Sequence, residues 1–297
     1  PKEVIQACVD CGFRIVQVSG LNNFTSSLEE LEEQYVTYND YHELCSYKLG
    51  FHAEYTTDKK LLEGLAGLSE KYHAPVYTHN SETKREVEEC RQRYGKSPTQ
   101  LFEEMGLYRY GGGGYHCIWF DDEDIDIFAK RQLSVVTNPA SNLKLASGIA
   151  PLKKMQEAGI NLAIGTDGPA SNNCLDMFRE MFLVTGLAKL REHDAAVMDA
   201  NDVLYMATTG GAKAMGLSDC DCLAVGKKAD LILMNLMQPN MQPEHNLTKN
   251  LVYSGSKQNV KLTMVNGKIL YEDGQFFISE EPQEIYKKAN EIVSRMK

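Results

Sequence analysis

Leu162-Ala163-Ile164-Gly165-Thr166-Asp167-Gly168-Pro169-Ala170-Ser171-Asn172-Asn173 is a short apolar run that ends in Gly-Thr-Asp-Gly and passes into a polar loop. The run predicts a buried strand, and the turn after it holds a carboxylate at the strand's C-terminal tip. Barrels of alternating strands and helices keep their chemistry at that end. Desolvating an aspartate there is costly unless a metal, a cation or several donors meet it. Taken alone, Asp167 also reads as a helix cap or a turn brace. Its company along the chain is what bears on the choice.

The same rhythm of apolar run, polar loop and amphipathic helix extends on both sides of this stretch. Strands are predicted over 14–19, 47–52, 75–79, 115–119, 133–137 and 161–166. Helices are predicted over 1–11, 27–41, 57–72 with Thr57 or Asp58 as cap, 84–94, 98–105, from Asp121 onward, and 149–157. Such alternation implies a parallel sheet with right-handed crossovers. Gly111-Gly112-Gly113-Gly114 precedes a strand where a phosphate loop would follow one, so it reads as a hinge or mobile loop. Helices over 176–190 and 201–215 come next. Beyond them the pattern turns strand-like over 230–235, 251–253 and 260–265, with Asn266-Gly267 as a hairpin signal leading to 268–271. A charged amphipathic helix over 283–297 closes the chain. The implied division is 1–222, a barrel-like part; 223–278, a small β unit; and 279–297, a terminal helix.

Composition narrows the class. The 297 residues are 43% hydrophobic and 24% charged, which suits a globular protein with room for one large domain and an appendage. A net charge of −10 without a basic cluster argues against nucleic acid and anionic membranes as partners. No run reaches the ~18 apolar residues of a membrane span and the first residues lack a signal-peptide pattern, so a cytoplasmic location is expected. Of eight cysteines, only Cys8/Cys11 and Cys220/Cys222 are close pairs. Without a second paired unit they read as reduced, packed thiols rather than a zinc site.

Three of the seven histidines fall at predicted strand ends: His52, His79 and His116, with Glu82 three residues beyond His79 and Asp167 on the last tip. Converging on one mouth, they make a site hypothesis. Singly, His52 also reads as a bonded core histidine and Glu82 as a helix-start carboxylate. His73 reads as a helix-end partner, and His42, His193 and His245 as surface residues.

At these residues the sequence resembles the amidohydrolase superfamily, in particular its cytosine-deaminase-like and chlorohydrolase-like branch. That branch includes deaminases of S-adenosylhomocysteine, methylthioadenosine and guanine, and the triazine hydrolases. The matching motifs are Thr78-His79-Asn80-Ser81-Glu82-Thr83, Tyr115-His116-Cys117, Asn138-Pro139-Ala140-Ser141-Asn142-Leu143-Lys144-Leu145, Gly165-Thr166-Asp167-Gly168, Ala229-Asp230-Leu231-Ile232 and Val265-Asn266-Gly267-Lys268. The resemblance implies an eight-stranded TIM-type (β/α) barrel, about six units of which are present, plus part of a C-terminal β-sandwich. It implies His79 and Asp167 as ligands of one divalent metal, zinc or alternatively iron, and Glu82, His116 and Asp167 as catalytic residues. His52, Glu82 and Ser171 would contact substrate. The implied activity is hydrolytic deamination of a purine or adenosine-like heterocycle. The alternatives are hydrolysis of another ring substituent, as in the chlorohydrolases, and an inactive member acting only as a subunit or binding module.

The sequence also departs from that pattern. The family's first barrel strand carries a His-x-His pair that completes the metal site, and the chain has none. This predicts that an N-terminal portion on the order of a hundred residues is lacking, and that the chain alone is inactive. Open barrel edges would then favour pairing with another chain, such as a homodimer. The substrate-strand motif reads Phe51-His52-Ala53-Glu54-Tyr55, and the unusual Glu54 would either favour an amine-bearing substrate or lie outside the mouth.

Overall fold

The computed structural model describes residues 1–296. Six strands form one parallel sheet in chain order: β1 (Ile15–Val18), β2 (Cys45–Phe51), β3 (Val76–Asn80), β4 (Gly112–His116), β5 (Ser134–Thr137) and β6 (Asn161–Ile164). Each lies beside its predecessor with a helical crossover between them, as repeated βα units require. Val16 and Val18 of β1 line the same cavity of about 230 Å³ as Ala163 and Ile164 of β6. In a flat sheet those strands would be roughly 24 Å apart. The sheet therefore curls into a half-barrel, and Lys48, Tyr77, Tyr115 and Val136 also line its hollow face.

Helices cover the outer face. Asp58, Thr83, Ser97 and Asp121 cap four of them, each accepting a backbone N–H from the first turn. A cap of this kind contributes about 1 kcal/mol. Beneath the strand tips Phe51, Phe102, Tyr108, Phe128 and Phe120 form a chain of edge-to-face aromatic contacts 4.8–6.2 Å between centroids. Burying each ring contributes roughly 1.5–3 kcal/mol, which makes the floor under the tips stiff.

The expected hinge at the glycine run is a strand instead, and the strand expected at 115–119 lies three residues earlier. A Cβ on Gly112 would sit 1.9 Å from Val76 O, one on Gly113 2.5 Å from Ser134 O, and one on Gly114 2.6 Å from Cys117 Sγ. Side chains there would collide with β3, β5 and the turn after β4. The run expected as a strand at 251–253 belongs to a helix, Leu247–Tyr253, whose cap Asn246 accepts Lys249 N–H. The helix expected over 201–215 is broken by a π turn, Met206–Gly210. Gly210 presses onto β6 so closely that a Cβ would lie 2.2 Å from Leu162 O.

The last part is an antiparallel sheet in the order β10 (Gln275–Phe276), β9 (Lys268–Glu272), β8 (Val260–Val265), β7 (Leu231–Met234). Asn266 and Gly267 turn β8 into β9 with φ of 52° and 79°, the two positive values a tight hairpin needs. Arg14 ties the half-barrel to this sheet through two bonds to Asp230, 2.6 and 2.9 Å long. The final helix is Pro282–Arg295; Lys297, the last residue of the expected helix, lies outside the described residues.

Candidate active site

Strand polarity carries the expected residues to one end of the half-barrel. His52 follows β2, His79 lies within β3, His116 ends β4 and Asp167 follows β6. The His79 ring is 5.0 Å from His52 and 5.5 Å from His116, centroid to centroid. Glu82 Oε2 lies 3.8 Å from His116 Nε2. Ser171 lies on the short helix Pro169–Asn172 beyond Asp167, and no side-chain hydrogen bond among the described residues links it to the imidazoles.

The neighbours fix how each imidazole is turned. His79 Nδ1 is 2.7 Å from the His52 carbonyl, which can only accept, so Nδ1 carries the proton and Nε2 keeps its lone pair. His116 Nδ1 donates to Asn142 Oδ1 at 2.7 Å, which turns Nε2 toward Glu82. The Thr56 hydroxyl donates its single proton to Ala53 O, so His52 Nδ1 donates to Thr56 Oγ1 at 3.0 Å. Burial first, and then the neighbouring His116, hold His79 below its ordinary pKa, which keeps the ring neutral at pH 7.

Asp167 meets the donors its position demands. Ser141 Oγ donates to Oδ2 and Gly168 N to Oδ1, both at 2.6 Å. Burial pushes its pKa up, but those bonds together with the fields of His116 and His79 outweigh burial and hold it below the usual value. Asp167 is therefore an anion at neutral pH. Ser147 Oγ donates to Glu82 Oε1 at 3.1 Å. Four residues at the tips, Ser81, His116, Cys117 and Asp167, have φ between 51° and 69°. Each left-handed non-glycine residue costs about 1–2 kcal/mol and persists only where its surroundings over-determine it.

Several supports escaped the sequence reading. Glu86 is buried and turns back from its helix to accept Ser81 N–H at 3.2 Å and Glu82 N–H at 2.8 Å. Burial pushes its carboxyl up to about 7 against those bonds. The spacing of four from Glu82, one helical turn, was the available signal. Asn80 donates to Thr99 Oγ1 and Tyr108 OH and accepts from Ser81 Oγ, locking the end of β3. Glu54, expected either to meet an amine or to lie outside the mouth, is buried in an ion pair with Arg93.

The model of the amidohydrolase family matches residues 3–270. The chain belongs to the amidohydrolase family. It is 41% identical over 250 residues to a 5-methylthioadenosine/S-adenosylhomocysteine deaminase of Dictyoglomus thermophilum, covering 83% of this chain and 59% of that protein. It is 39% identical over 233 residues to a 5'-deoxyadenosine deaminase of Methanothermobacter thermautotrophicus, covering 78% of this chain and 54% of that protein. The crystal structure of an adenosine deaminase from Xanthomonas campestris with bound zinc superposes with a TM-score of 0.91 at 32% identity, covering 98% of this chain and 69% of that one. The matched region thus spans between about half and 70% of the relatives' length.

The amidohydrolase's own residues can be tested against a metal. His79 Nε2 and the Asp167 carboxylate are donors of the right kind and in the right protonation state. They do not suffice in number: among the described residues no three His, Cys, Asp or Glu side chains are grouped to hold an ion. A catalytic zinc takes three protein ligands.

Proposed function

We propose that this amidohydrolase supplies the proton-handling side of a hydrolytic deaminase of purine nucleosides. The overall change is R–NH2 + H2O → R–OH + NH3, with R the purine ring carbon and R–OH passing to its oxo form with the proton on the adjacent ring nitrogen. The observation that carries the reading is the Glu82 carboxylate, held by Ser147 and facing Nε2 of His116 at 3.8 Å. A carboxylate so placed takes one proton from the attacking water and delivers it to the ring nitrogen, where it remains in the product. His116, oriented by Asn142, holds the reacting oxygen in line, and Asp167 accepts the second proton of the water and gives it up to the amine, which departs as ammonia. His52 presents its Nε2 to the substrate, and Ser171 borders the mouth. One divalent ion, zinc in the first instance, would use His79 Nε2 and Asp167 among its ligands, and when bound it supplies a water acidified toward a pKa of ~7.

The names of the relatives support adenosine-like substrates. Eight free thiols fit a reducing cytoplasm, where no helix among the described residues is long and apolar enough to cross a membrane. The outer edges of β1 and β6 fit association with a second copy. The test is ammonia release from adenosine, 5'-deoxyadenosine and methylthioadenosine by the zinc-supplemented protein joined to a segment that carries the family's His-x-His pair. Glu82→Gln is expected to lower turnover by about 10²–10⁴-fold. Unchanged turnover in that variant would remove Glu82 from the chemistry.

A further inference from the structure

Trp119 stands out at the mouth. It is the chain's only tryptophan and is 39% exposed, directly beside the phenylalanine that packs into the aromatic floor. Its indole N–H donates to Ser147 O at 2.9 Å and its backbone N–H to Ser81 O at 3.0 Å. Gly148, at φ 130°, lies against the edge of the ring: a Cβ there would touch the indole at 3.7 Å and crowd Ile118 at 2.9 Å. The side chain is thus held in one place while part of its ring stays open to solvent. Ser147, which fixes the indole, and Ser81, which holds the Trp119 backbone, also flank Glu82: Ser147 through its hydroxyl and Ser81 through the chain.

Tyr55 borders the same carboxylate from the other side. It is 54% exposed, its ring stands edge-on to His52 at 6.0 Å, and burial and then the charges of Glu86 and Glu82 push its phenol up. In the sheet, β2 and β4 flank β3, so Tyr55 after β2 and Trp119 after β4 lie to either side of the Glu82 turn. We propose that Trp119, with Tyr55 as the second wall, is the stacking platform that seats the heterocyclic base against Glu82. This rests on the purine reading above and assigns the residues that grip the ring. Base–aromatic stacking tolerates different bases and is strong enough to matter, since alanine substitution of a stacking ring weakens binding by roughly 5- to 150-fold.

Because Trp119 is the only indole, its fluorescence reports the platform directly. Adenosine is titrated into the zinc-supplemented protein, with ribose as control. Saturable quenching by adenosine and none by ribose is expected. Trp119→Ala should raise KM about 10-fold with a smaller change in kcat, Trp119→Phe should restore most of the loss, and Tyr55→Ala should raise KM less. Ammonia release with no quenching and an unchanged KM in Trp119→Ala would overturn the platform and leave the deaminase reading intact. Neither binding nor turnover of any purine nucleoside would overturn both. If Trp119→Ala fails to fold, wild-type quenching and Trp119→Phe still decide the matter.

Discussion

Left-handed backbone has different causes in the C-terminal sheet and at the barrel mouth. In the C-terminal sheet it belongs to Asn266-Gly267 and Asp273-Gly274, residue pairs that adopt it cheaply and close tight turns by themselves. At the barrel mouth it belongs to Ser81, His116, Cys117 and Asp167, of which only His116 and Asp167 are residue types enriched there. There it is imposed by long-range partners: Cys117 N–H on Asn80 O, Asn142 on His116, Ser141 on Asp167. Strain held by distant packing marks the mouth as the place where geometry matters more than stability, whereas the hairpins carry only connectivity.

The strongest way to break that comparison is at β4, where the mouth's backbone is set. Gly112→Ala would place a Cβ 1.9 Å from Val76 O at a φ of 131°, and neither β3 nor β4 can yield without moving His79 or His116. The expected cost exceeds about 3 kcal/mol, read from the denaturant midpoint. A loss under about 1 kcal/mol would mean that the sheet is soft at its tips.

Glu86 provides the next test, through pH. Its carboxyl is pushed up to about 7 by burial, against about 4.3 when unfolded. A raised carboxylate pKa makes the native state bind more protons, so this group's stabilising contribution is complete below about pH 4 and is lost as pH climbs to about 7. Glu86→Gln does not titrate. The wild type should therefore lose on the order of 2 kcal/mol relative to Glu86→Gln between pH 4.5 and 8, in urea titrations at each pH. Parallel pH curves for the two proteins would remove the buried carboxylate as the cause.

What the sequence made legible follows the same division. The strand tips carrying His52, His79, His116 and Asp167 could be placed because a polar residue ending an apolar run is a local signal. The family resemblance then ordered them. Glu86, Ser141, Asn142, Ser147 and Trp119 could not be singled out, since each matters through a partner distant in the fold or a turn away. The glycines before His116 misled because a glycine run reads as flexibility, while its cause here is the nearness of Val76 and Ser134 across the sheet. The three-residue run at 251–253 was too short for its period to separate strand from helix, and the Asn246 cap decided it. The Asn266-Gly267 hairpin, governed locally, was read correctly.

Ser141 gives a smaller effect at the mouth with the opposite pH sense. Its bond helps to hold Asp167 below the ordinary aspartate range, so the stabilisation it contributes is present above about pH 4 and disappears as pH falls through the folded pKa. Ser141→Ala is expected to cost about 1.5 kcal/mol near neutrality. The gap should narrow in acid; a cost that stays constant down to pH 3 would mean the hydroxyl serves packing instead.

The smallest effect belongs to the hairpin, and it completes the contrast. Gly267 has φ 79° and nothing within 4 Å of where a Cβ would be, so Gly267→Ala meets only the intrinsic penalty of a left-handed alanine, about 1 kcal/mol. The same glycine-to-alanine change at Gly112 adds a collision with a neighbouring strand to that penalty. Measured side by side by denaturation, the difference between the two costs isolates what β3 imposes on β4 from what the turn imposes on itself. Equal costs would show that local conformation governs both regions, and the mouth would then owe its shape to its own turns rather than to the barrel around it.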